Sequence, residues 1–324
     1  MASAPGKCIL TGEHAVVYDA AAVVIAIQLY AFAKIEIRTD TKFAITLKDY
    51  NIHDIISVGS QNLTQIQPDH LEILPIWKIL SNIFNTYGLH KGLTLDIWSD
   101  IPIGVGLGSS AAIAVATVAA LSNLFELDLG PGEISQHAFE GEKVSHATPS
   151  GIDNTISTYG GAILYKKGKI NRIEIPHEIP LLIINTGISR ETKTQVNQVA
   201  TLYKEHPSII KPLFQAIDAI SLKTENALRL QKLSLLGDLL NFNQQLLRIL
   251  RVSTKEIDSL IELALSNGAL GAKITGAGGG GCILALFDSQ TAKQNCIAQL
   301  QSLNIGFYDT TISELGAQIL HTAK

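Results

Sequence analysis

Cysteine is scarce in this chain: Cys8, Cys282 and Cys296 are the only three among 324 residues. They are too few for a disulfide framework and too scattered for a cysteine-based metal site. Chains with so little cysteine fit a reducing compartment. The cysteine content therefore favours a cytoplasmic protein that is not held together by disulfides.

Runs of like charge are also missing. The chain has 25 Lys and Arg against 29 Asp and Glu, a formal net charge of −4. A nucleic-acid surface needs clustered Lys and Arg, and a polybasic membrane patch needs a basic run. We therefore expect this protein to bind neither nucleic acid nor a membrane surface.

No apolar run is long enough for a bilayer, which needs about 18–20 consecutive apolar residues. Residues 15–27 are mostly apolar, but Glu13 and His14 precede them and Asp19 interrupts them. No cleavage-type segment follows, as it would after a signal peptide. These features predict a soluble, cytoplasmic protein.

What the chain does contain is a mixture of strand and helix patterns. Residues 31–39 alternate between apolar and polar at period two, as in a strand, whereas residues 74–87 place four aliphatic residues on one face of a helix. Further strands are predicted at 8–10, 22–27, 93–98, 160–165, 180–185, 272–274 and 282–287. Further helices are predicted at 109–125, 132–146, 208–222, 228–251 and 254–266.

A polar stretch at residues 166–174 separates two halves of this pattern. Polar stretches between periodic segments are typical of connections. We therefore predict a domain boundary near residue 177, with domains at 1–177 and 178–324.

A segment dense in glycine, Pro-Ile-Gly-Val-Gly-Leu-Gly-Ser-Ser-Ala-Ala, occupies residues 102–112 between a predicted strand and a predicted helix. Glycines permit positive φ and a close approach of backbone to ligand. The start of a helix offers unpaired N–H groups to a phosphate. Ser109 and Ser110 are expected to cap the helix and to offer hydroxyls to a phosphate or a magnesium ion. The segment predicts a phosphate-binding loop.

Two common nucleotide-binding loops do not fit this segment. The chain contains no G-x-x-x-x-G-K-[ST] sequence, so it has no Walker A loop. Residues 104–108 have the wrong spacing for the dinucleotide fingerprint G-x-G-x-x-G. On this segment alone, a flexible turn before a capped helix remains the alternative.

Four segments resemble, in order and spacing, the motifs of the GHMP kinases, the family of galactokinase, homoserine kinase, mevalonate kinase and phosphomevalonate kinase. Residues 4–7 (APGK) and 12–18 (GEHAVVY) resemble the first motif, residues 102–112 the second, and residues 273–282 (KITGAGGGGC) the third. Residues 148–154 (TPSGIDN) resemble the segment that carries the catalytic aspartate. The resemblance spans nearly the whole chain.

This resemblance implies an α+β protein with the two-domain GHMP kinase fold. The N-terminal domain would be a ribosomal-protein-S5-like α/β domain, and the C-terminal domain a ferredoxin-like α+β domain. The resemblance also implies ATP as phosphoryl donor and Mg²⁺ as cofactor. A homodimer stays open, because the sequence does not fix the oligomeric state.

The resemblance further implies roles for individual residues. Asp153 would act as catalytic base or orient the acceptor hydroxyl, and Lys7 would stabilise negative charge on Asp153 and on the transferred group. Ser110 and Glu142 would hold magnesium, although Glu142 also fits a solvated helix face. The residues expected to bind the nucleotide are Ser99, Pro102, Gly104, Val105, Gly106, Leu107, Gly108, Ser109, Ser110, Ala111, Ala112 and Thr192.

The acceptor site is expected at Glu13, His14, Ser150 and Asp153. The first motif and the aspartate segment resemble the mevalonate-phosphorylating members of the family, so the resemblance implies transfer to the 5-hydroxyl of mevalonate, a step of isoprenoid biosynthesis. The family often has glycine after the tyrosine of the first motif, where this chain has Asp19. That difference leaves the shape of the turn open.

Three alternatives remain at this point. Phosphomevalonate kinase should need extra Lys or Arg near Glu13, and residues 8–27 contain none. Another small-molecule kinase of the family would share the phosphate loop. Outside enzymes, an inactive relative could serve as a ligand-binding regulator, but Lys7, Ser110, Glu142 and Asp153 are all present.

Overall fold

A computed structural model describes residues 1–57, 63, 66–145, 151–189 and 192–321. Within these ranges the chain forms two sheets and nine α-helices. The strands are β1 (Ala2–Thr11), β2 (Ala22–Ile37), β3 (Lys42–Leu47), β4 (Ile52–Ser57), β5 (Leu93–Ser99), β6 (Ala162–Lys166), β7 (Lys169–Ile173), β8 (Leu181–Asn185), β9 (Gly271–Thr275), β10 (Cys282–Leu286), β11 (Phe307–Thr310) and β12 (Gln318–Ile319). The helices are α1 (Leu74–Tyr87), α2 (Ser109–Leu124), α3 (Pro131–Ser145), α4 (Ile152–Tyr159), α5 (Thr192–Glu205), α6 (Pro207–Arg229), α7 (Leu233–Ile249), α8 (Lys255–Ser266) and α9 (Gln290–Ser302).

The larger sheet has the strand order β12-β1-β2-β5-β3-β4, with β6 paired to β2 and β7 paired to β6. Its pairings are antiparallel apart from β3 with β5. Helix α2 packs on β1 and β2 and is covered by α3 and α4. Because α2 consists mainly of Ala, Val, Ile and Leu, it can be buried on both sides. This places the start of α2 beside β1.

The smaller sheet has the order β11-β8-β10-β9, and its pairings are antiparallel. Strands β9 and β10 are buried along their whole length. Strands buried on both faces consist of near-continuous apolar runs, so the sequence shows them as short runs without alternation. Lys273 in the middle of β9 is the exception.

The predicted division near residue 177 falls between β7 of the larger sheet and β8 of the smaller one. At the other end of the chain, β12 returns to the larger sheet and pairs with β1. The boundary stays a proposal. The largest apolar cluster contains residues of both sheets, and a second cluster packs against the smaller sheet.

Several element bounds differ from the sequence prediction for local reasons. The predicted helix at 228–251 is divided between α6 and α7, because Gln231 has a left-handed φ of 52° that interrupts the helix. The predicted strand at 160–165 starts later, at Ala162, because Gly160 and Gly161 have φ of 70° and 71°. Among the described helices, none has the length and apolarity that a membrane span requires.

The two halves of the chain meet at several places, one of which lies between β1 and β9. The hydroxyl of Thr275 accepts from the Ile9 N–H at 3.0 Å and from the Cys8 thiol at 3.2 Å. Burial raises the pKa of the Cys8 thiol to about 11, so this thiol stays protonated and can donate. A cleft opens beside this junction.

Candidate active site

Strand β1 delivers Lys7 to the cleft. The register of β1 against β2 shifts between Pro5 and Gly6, an irregularity of the ladder directly before Lys7. The Lys7 N–H then donates to the Leu107 carbonyl at 2.8 Å, which binds the glycine-rich loop to β1. The Lys7 side chain is buried and ends in the cleft.

The glycine-rich loop turns on three left-handed glycines before α2 begins. Gly104, Gly106 and Gly108 have φ of 75°, 85° and 78°. Gly108 is the N-cap residue, and no side chain caps the helix, so the prediction that Ser109 and Ser110 cap it is wrong. The reason is that α2 starts at Ser109, so both serines lie inside the helix and neither can be its N-cap residue. The helix dipole and the first N–H groups of α2 therefore point toward the cleft without a side-chain cap.

We expect Gly108→Ala to lower kcat by about 100-fold or more, since a Cβ at this position would lie 2.7 Å from Cγ of Lys7 and displace it. Gly104→Ala is the matched control: it has a similar positive φ, but its Cβ would meet no atom within 4 Å. Steady-state kinetics with purified variants checks this. Equal losses in the two variants would mean that backbone strain, and not the displacement of Lys7, governs activity.

Helix α4 presents Asp153 from its first turn. Gly151 is the N-cap residue in a left-handed conformation with φ of 72°, which turns the chain into the helix. Asp153 Oδ1 lies 3.1 Å from Lys7 Nζ. A carboxylate in the first turn is stabilised by the helix dipole, so this position suits an ionised aspartate paired with a lysine.

Helix α3 presents Glu142 at the same cleft. The neighbouring Gly141 lets α3 approach α1 closely, because a Cβ there would lie 2.8 Å from Cδ1 of Ile79. Burial, and secondarily the negative charge of Asp153, raise the pKa of the Glu142 carboxyl to about 7, although Lys7 opposes the shift. Among the described residues, Glu142 Oε2 is buried with no hydrogen-bond partner. A buried carboxylate oxygen of this kind is suited to a cation.

The raised pKa of Glu142 predicts a pH-dependent stability. Between the ordinary pKa of 4.5 and the folded value of about 7, the folded protein keeps the proton that the unfolded chain loses. Stability should therefore fall as pH rises through this range. We expect the Tm of Glu142→Gln minus the Tm of wild type to increase from about pH 5 to pH 7.5 in metal-free and nucleotide-free buffer. A Tm difference that does not change with pH would contradict the raised pKa.

The first motif forms a tight turn at the rim of the cleft. His14 has φ of 59° and ψ of −47°, and the Ala15 N–H donates to the Glu13 carbonyl at 2.6 Å. This is a γ-turn of the strained kind, which is rare for a residue with a side chain. The His14 Nε2–H donates to the Ala277 carbonyl at 2.9 Å, so the third motif holds the turn. Asp19 has φ of 68°, the conformation that glycine adopts most easily.

These elements surround a cleft of about 410 Å³. It brings together most of the predicted site residues: Lys7, Glu13, His14, Pro102, Gly104, Gly106, Leu107, Gly108, Ser109, Ser110, Ala111, Glu142, Asp153 and Thr192. Gly276 and Ala277 of the third motif line it as well.

Other predicted residues lie behind the cleft wall or outside the description. Ser99 accepts from the Ile101 N–H at 3.0 Å and so supports the loop from behind. Val105 and Ala112 are buried and pack in the core. Ser150, expected at the acceptor site, lies outside the described residues.

A larger cavity of about 900 Å³ lies elsewhere, lined by Arg172, Glu174 and Arg229 among others. In the described part of the chain it includes none of the motif residues. The smaller cleft is therefore the candidate site, because the chemistry-bearing side chains converge there.

Two family models match the chain: "GHMP kinases N terminal domain" over residues 75–161 and "GHMP kinases C terminal" over residues 224–305. A mevalonate kinase of Archaeoglobus fulgidus is 40% identical over 300 residues, which covers 92% of this chain and 96% of that protein. A mevalonate kinase of Pyrococcus furiosus is 39% identical over 296 residues and covers 88% of each. The chain belongs to the GHMP kinase family.

The solved structures agree with this assignment. The crystal structure of L. major mevalonate kinase in complex with R-mevalonate matches this GHMP kinase with a TM-score of 0.83 and 30% identity. The match covers 96% of this chain and 94% of that one. The predicted family and the two-domain α+β fold of the GHMP kinases are thereby confirmed.

Sequence reasoning assigned no role to two residues of this GHMP kinase that contact Glu13. Lys273 forms an ion pair with Glu13, and the Asn243 side-chain N–H donates to Glu13 Oε2 at 3.0 Å. A signal was present, because Lys273 is a charged residue in a strand that is otherwise apolar or hydroxyl-bearing. A lysine in a fully buried strand must be paired, and this one needed a buried acid.

Proposed function

We propose that this GHMP kinase transfers the γ-phosphoryl group of ATP to the 5-hydroxyl of mevalonate. The observation that carries the chemistry is the Lys7–Asp153 pair, 3.1 Å apart, in the cleft formed with the glycine-rich loop. The acceptor is supported by relatives that are mevalonate kinases at up to 40% identity and by similarity to a mevalonate kinase crystallised with R-mevalonate.

The proposed reaction is an in-line displacement. The acceptor hydroxyl oxygen forms a bond to the γ-phosphorus, the bond from that phosphorus to the β,γ-bridging oxygen breaks, and ADP leaves. Asp153 accepts the hydroxyl proton, while Lys7 counters negative charge on the transferred group. The chemistry depends mainly on positioning and charge neutralisation, which suits an aspartate and a lysine held by β1 and α4.

The ATP phosphates are proposed to lie at the start of α2. The N–H groups of its first turn carry no side-chain cap, and Ser109 and Ser110 line the cleft there. A helix start with free N–H groups favours an anion. Thr192, at the first residue of α5, reaches the same cleft from the C-terminal half.

The donor set at this end of the cleft fits magnesium. Mg²⁺ prefers oxygen ligands, and one or two carboxylates together with substrate phosphates are its usual partners in kinases. Glu142 supplies a buried carboxylate oxygen with no hydrogen-bond partner among the described residues, and Ser110 supplies a hydroxyl. When bound with ATP, the ion would neutralise phosphate charge.

Replacing Glu142 by Gln is expected to lower kcat by about 100-fold at ~1 mM Mg²⁺ and to raise the Mg²⁺ concentration needed for half-maximal rate. Glu140→Gln is the control, because Glu140 lies on the same helix but pairs with Lys143 at 2.6 Å. A magnesium titration of ADP release checks this. An unchanged magnesium requirement in the Glu142 variant would exclude it as a ligand.

The small positive charge of the cleft favours mevalonate over its phosphorylated product as the substrate. Among the described residues that line the cleft, Lys7 is the only Lys or Arg, and it pairs with Asp153. A substrate with an additional phosphate would need additional positive charge.

A cytoplasmic location, which the three free cysteines favour, is part of the proposal.

The proposal is tested by coupled ADP release with mevalonate and Mg²⁺, with an acceptor-free reaction to measure background ATP hydrolysis. We expect ADP release that depends on mevalonate, with 5-phosphomevalonate as product. A folded protein that binds ATP but releases no ADP with any alcohol would instead indicate a ligand-binding regulator.

A further inference from the structure

Lys273 is fully buried, one of the largest such side chains among the described residues. It lies in the middle of β9 in the C-terminal half, and its ammonium group contacts Glu13 Oε1 and the Ile274 carbonyl. Glu13 belongs to the first motif and is itself 2% exposed. A charge at such a site is tolerated only when it is paired and hydrogen-bonded.

Both oxygens of Glu13 are held from the C-terminal half of the chain. Lys273 contacts Oε1, and the Asn243 side-chain N–H donates to Oε2 at 3.0 Å. Asn243 comes from α7, which packs directly on β9. Glu13 is therefore oriented by two independent elements, although it is carried by the loop after β1.

The contacts of Glu13 with Lys273 and Asn243 lie next to the strained turn at the cleft. Glu13 and His14 are adjacent, and both line the cleft. Lys273 and Thr275 are two residues apart in β9, so their side chains project from the same face of the strand. The Thr275 hydroxyl accepts a hydrogen bond from the Ile9 N–H, and the Ala277 carbonyl accepts one from His14. One stretch of the third motif thus contacts the N-terminal segment at three points, Ile9, Glu13 and His14.

We propose that Lys273 and Asn243 are positioning residues for the acceptor site. By holding Glu13, they keep the turn at His14 in the one shape in which Glu13 and His14 face the acceptor. Neither residue lines the cleft itself, so each acts through Glu13. This inference rests on the proposed function only in that the cleft takes an alcohol acceptor beside the first motif.

The test compares Lys273→Met with Lys293→Met. Lys293 is a matched control, because its side chain is 4% exposed and pairs with Asp309 at 2.7 Å, in α9 and away from the cleft. We expect Lys273→Met to raise the KM for mevalonate by about 30-fold while the KM for ATP changes less than about threefold. Lys293→Met should leave both constants within about threefold and affect Tm alone.

Asn243→Leu keeps the test decisive if Lys273→Met does not fold, since losing one partner of a buried pair is destabilising. Asn243 Oδ1 is buried without a hydrogen-bond partner among the described residues, so leucine removes an unsatisfied atom along with the bond to Glu13. We expect a folded variant whose mevalonate KM rises about fivefold with an unchanged ATP KM.

Two results would overturn the proposal. One is a mevalonate KM within about twofold of wild type in a folded Asn243→Leu or Lys273→Met protein. The other is an equal rise of both KM values, which would indicate a general effect on domain closure. Failure of the proposed function is recognised separately, because the wild-type protein would then not phosphorylate mevalonate. In that case the KM values of wild type and variants are compared with the alcohol that wild type does phosphorylate.

Discussion

Replacing Asp153 by Asn is expected to lower kcat by about 1,000- to 10,000-fold, while the affinity for ATP stays within about threefold of wild type. Asparagine has nearly the same shape but cannot take up the proton of the acceptor hydroxyl. It also removes the negative charge that lies 3.1 Å from Lys7. The nucleotide is expected at the start of α2, so the change should leave its binding largely intact.

The control for this variant is Asp258→Asn. Asp258 matches Asp153 in exposure, 32% for each side chain, lies in the first turn of a helix, and is paired with a cation, Arg248. It does not line the cleft. Single-turnover kinetics together with nucleotide titration separates chemistry from binding. If kcat of Asp153→Asn stays within about threefold, which is ~0.65 kcal/mol of barrier, Asp153 is not the base.

Replacing Lys7 by Met is expected to lower kcat by about 1,000-fold. Methionine keeps much of the buried aliphatic stem but removes the ammonium group that faces Asp153 and the proposed transfer site. The change should also move the pKa of Glu142 further upward, because the positive charge of Lys7 opposes the upward shift. More of Glu142 would then be protonated near neutral pH, so the variant should need a higher pH for its best rate.

Lys293→Met again serves as the control, as a buried and ion-paired lysine away from the cleft. The pH–rate profile of kcat distinguishes an electrostatic role of Lys7 from a structural one. A loss of activity with no shift of the profile and a much lower Tm would mean that Lys7 mainly stabilises the fold. A kcat within about threefold of wild type would contradict a role in catalysis.

The sequence predicts the strand, loop and helix around the phosphate site well. Helix α1 has the predicted bounds, and α2 begins at the predicted residue. These features are local: apolar periodicity defines the helices, and glycine marks the turn where positive φ is required. The capping role of the two serines was predicted wrongly, because the left-handed Gly108 takes the N-cap position.

The contacts that join distant segments were not predictable in the same way. Glu13 and Lys273 are 260 residues apart, and Asn243 reaches Glu13 from a third element. Periodicity describes one element at a time and says nothing about which buried charge meets which. Helix α4 was also missed, because eight residues after a glycine carry too little periodic pattern to distinguish a short helix from a turn.

The choice of acceptor is the central claim, and kcat/KM of the wild-type kinase across four alcohols tests it most directly. Mevalonate, phosphomevalonate, homoserine and galactose are compared at saturating ATP and Mg²⁺ by ADP release. We expect mevalonate to be favoured by at least about 100-fold. The described residues that line the cleft offer no Lys or Arg besides Lys7 for a second phosphate, and a site built for one polar acceptor rejects another strongly. A kcat/KM for any of the other three that equals or exceeds the value for mevalonate would contradict the proposed function.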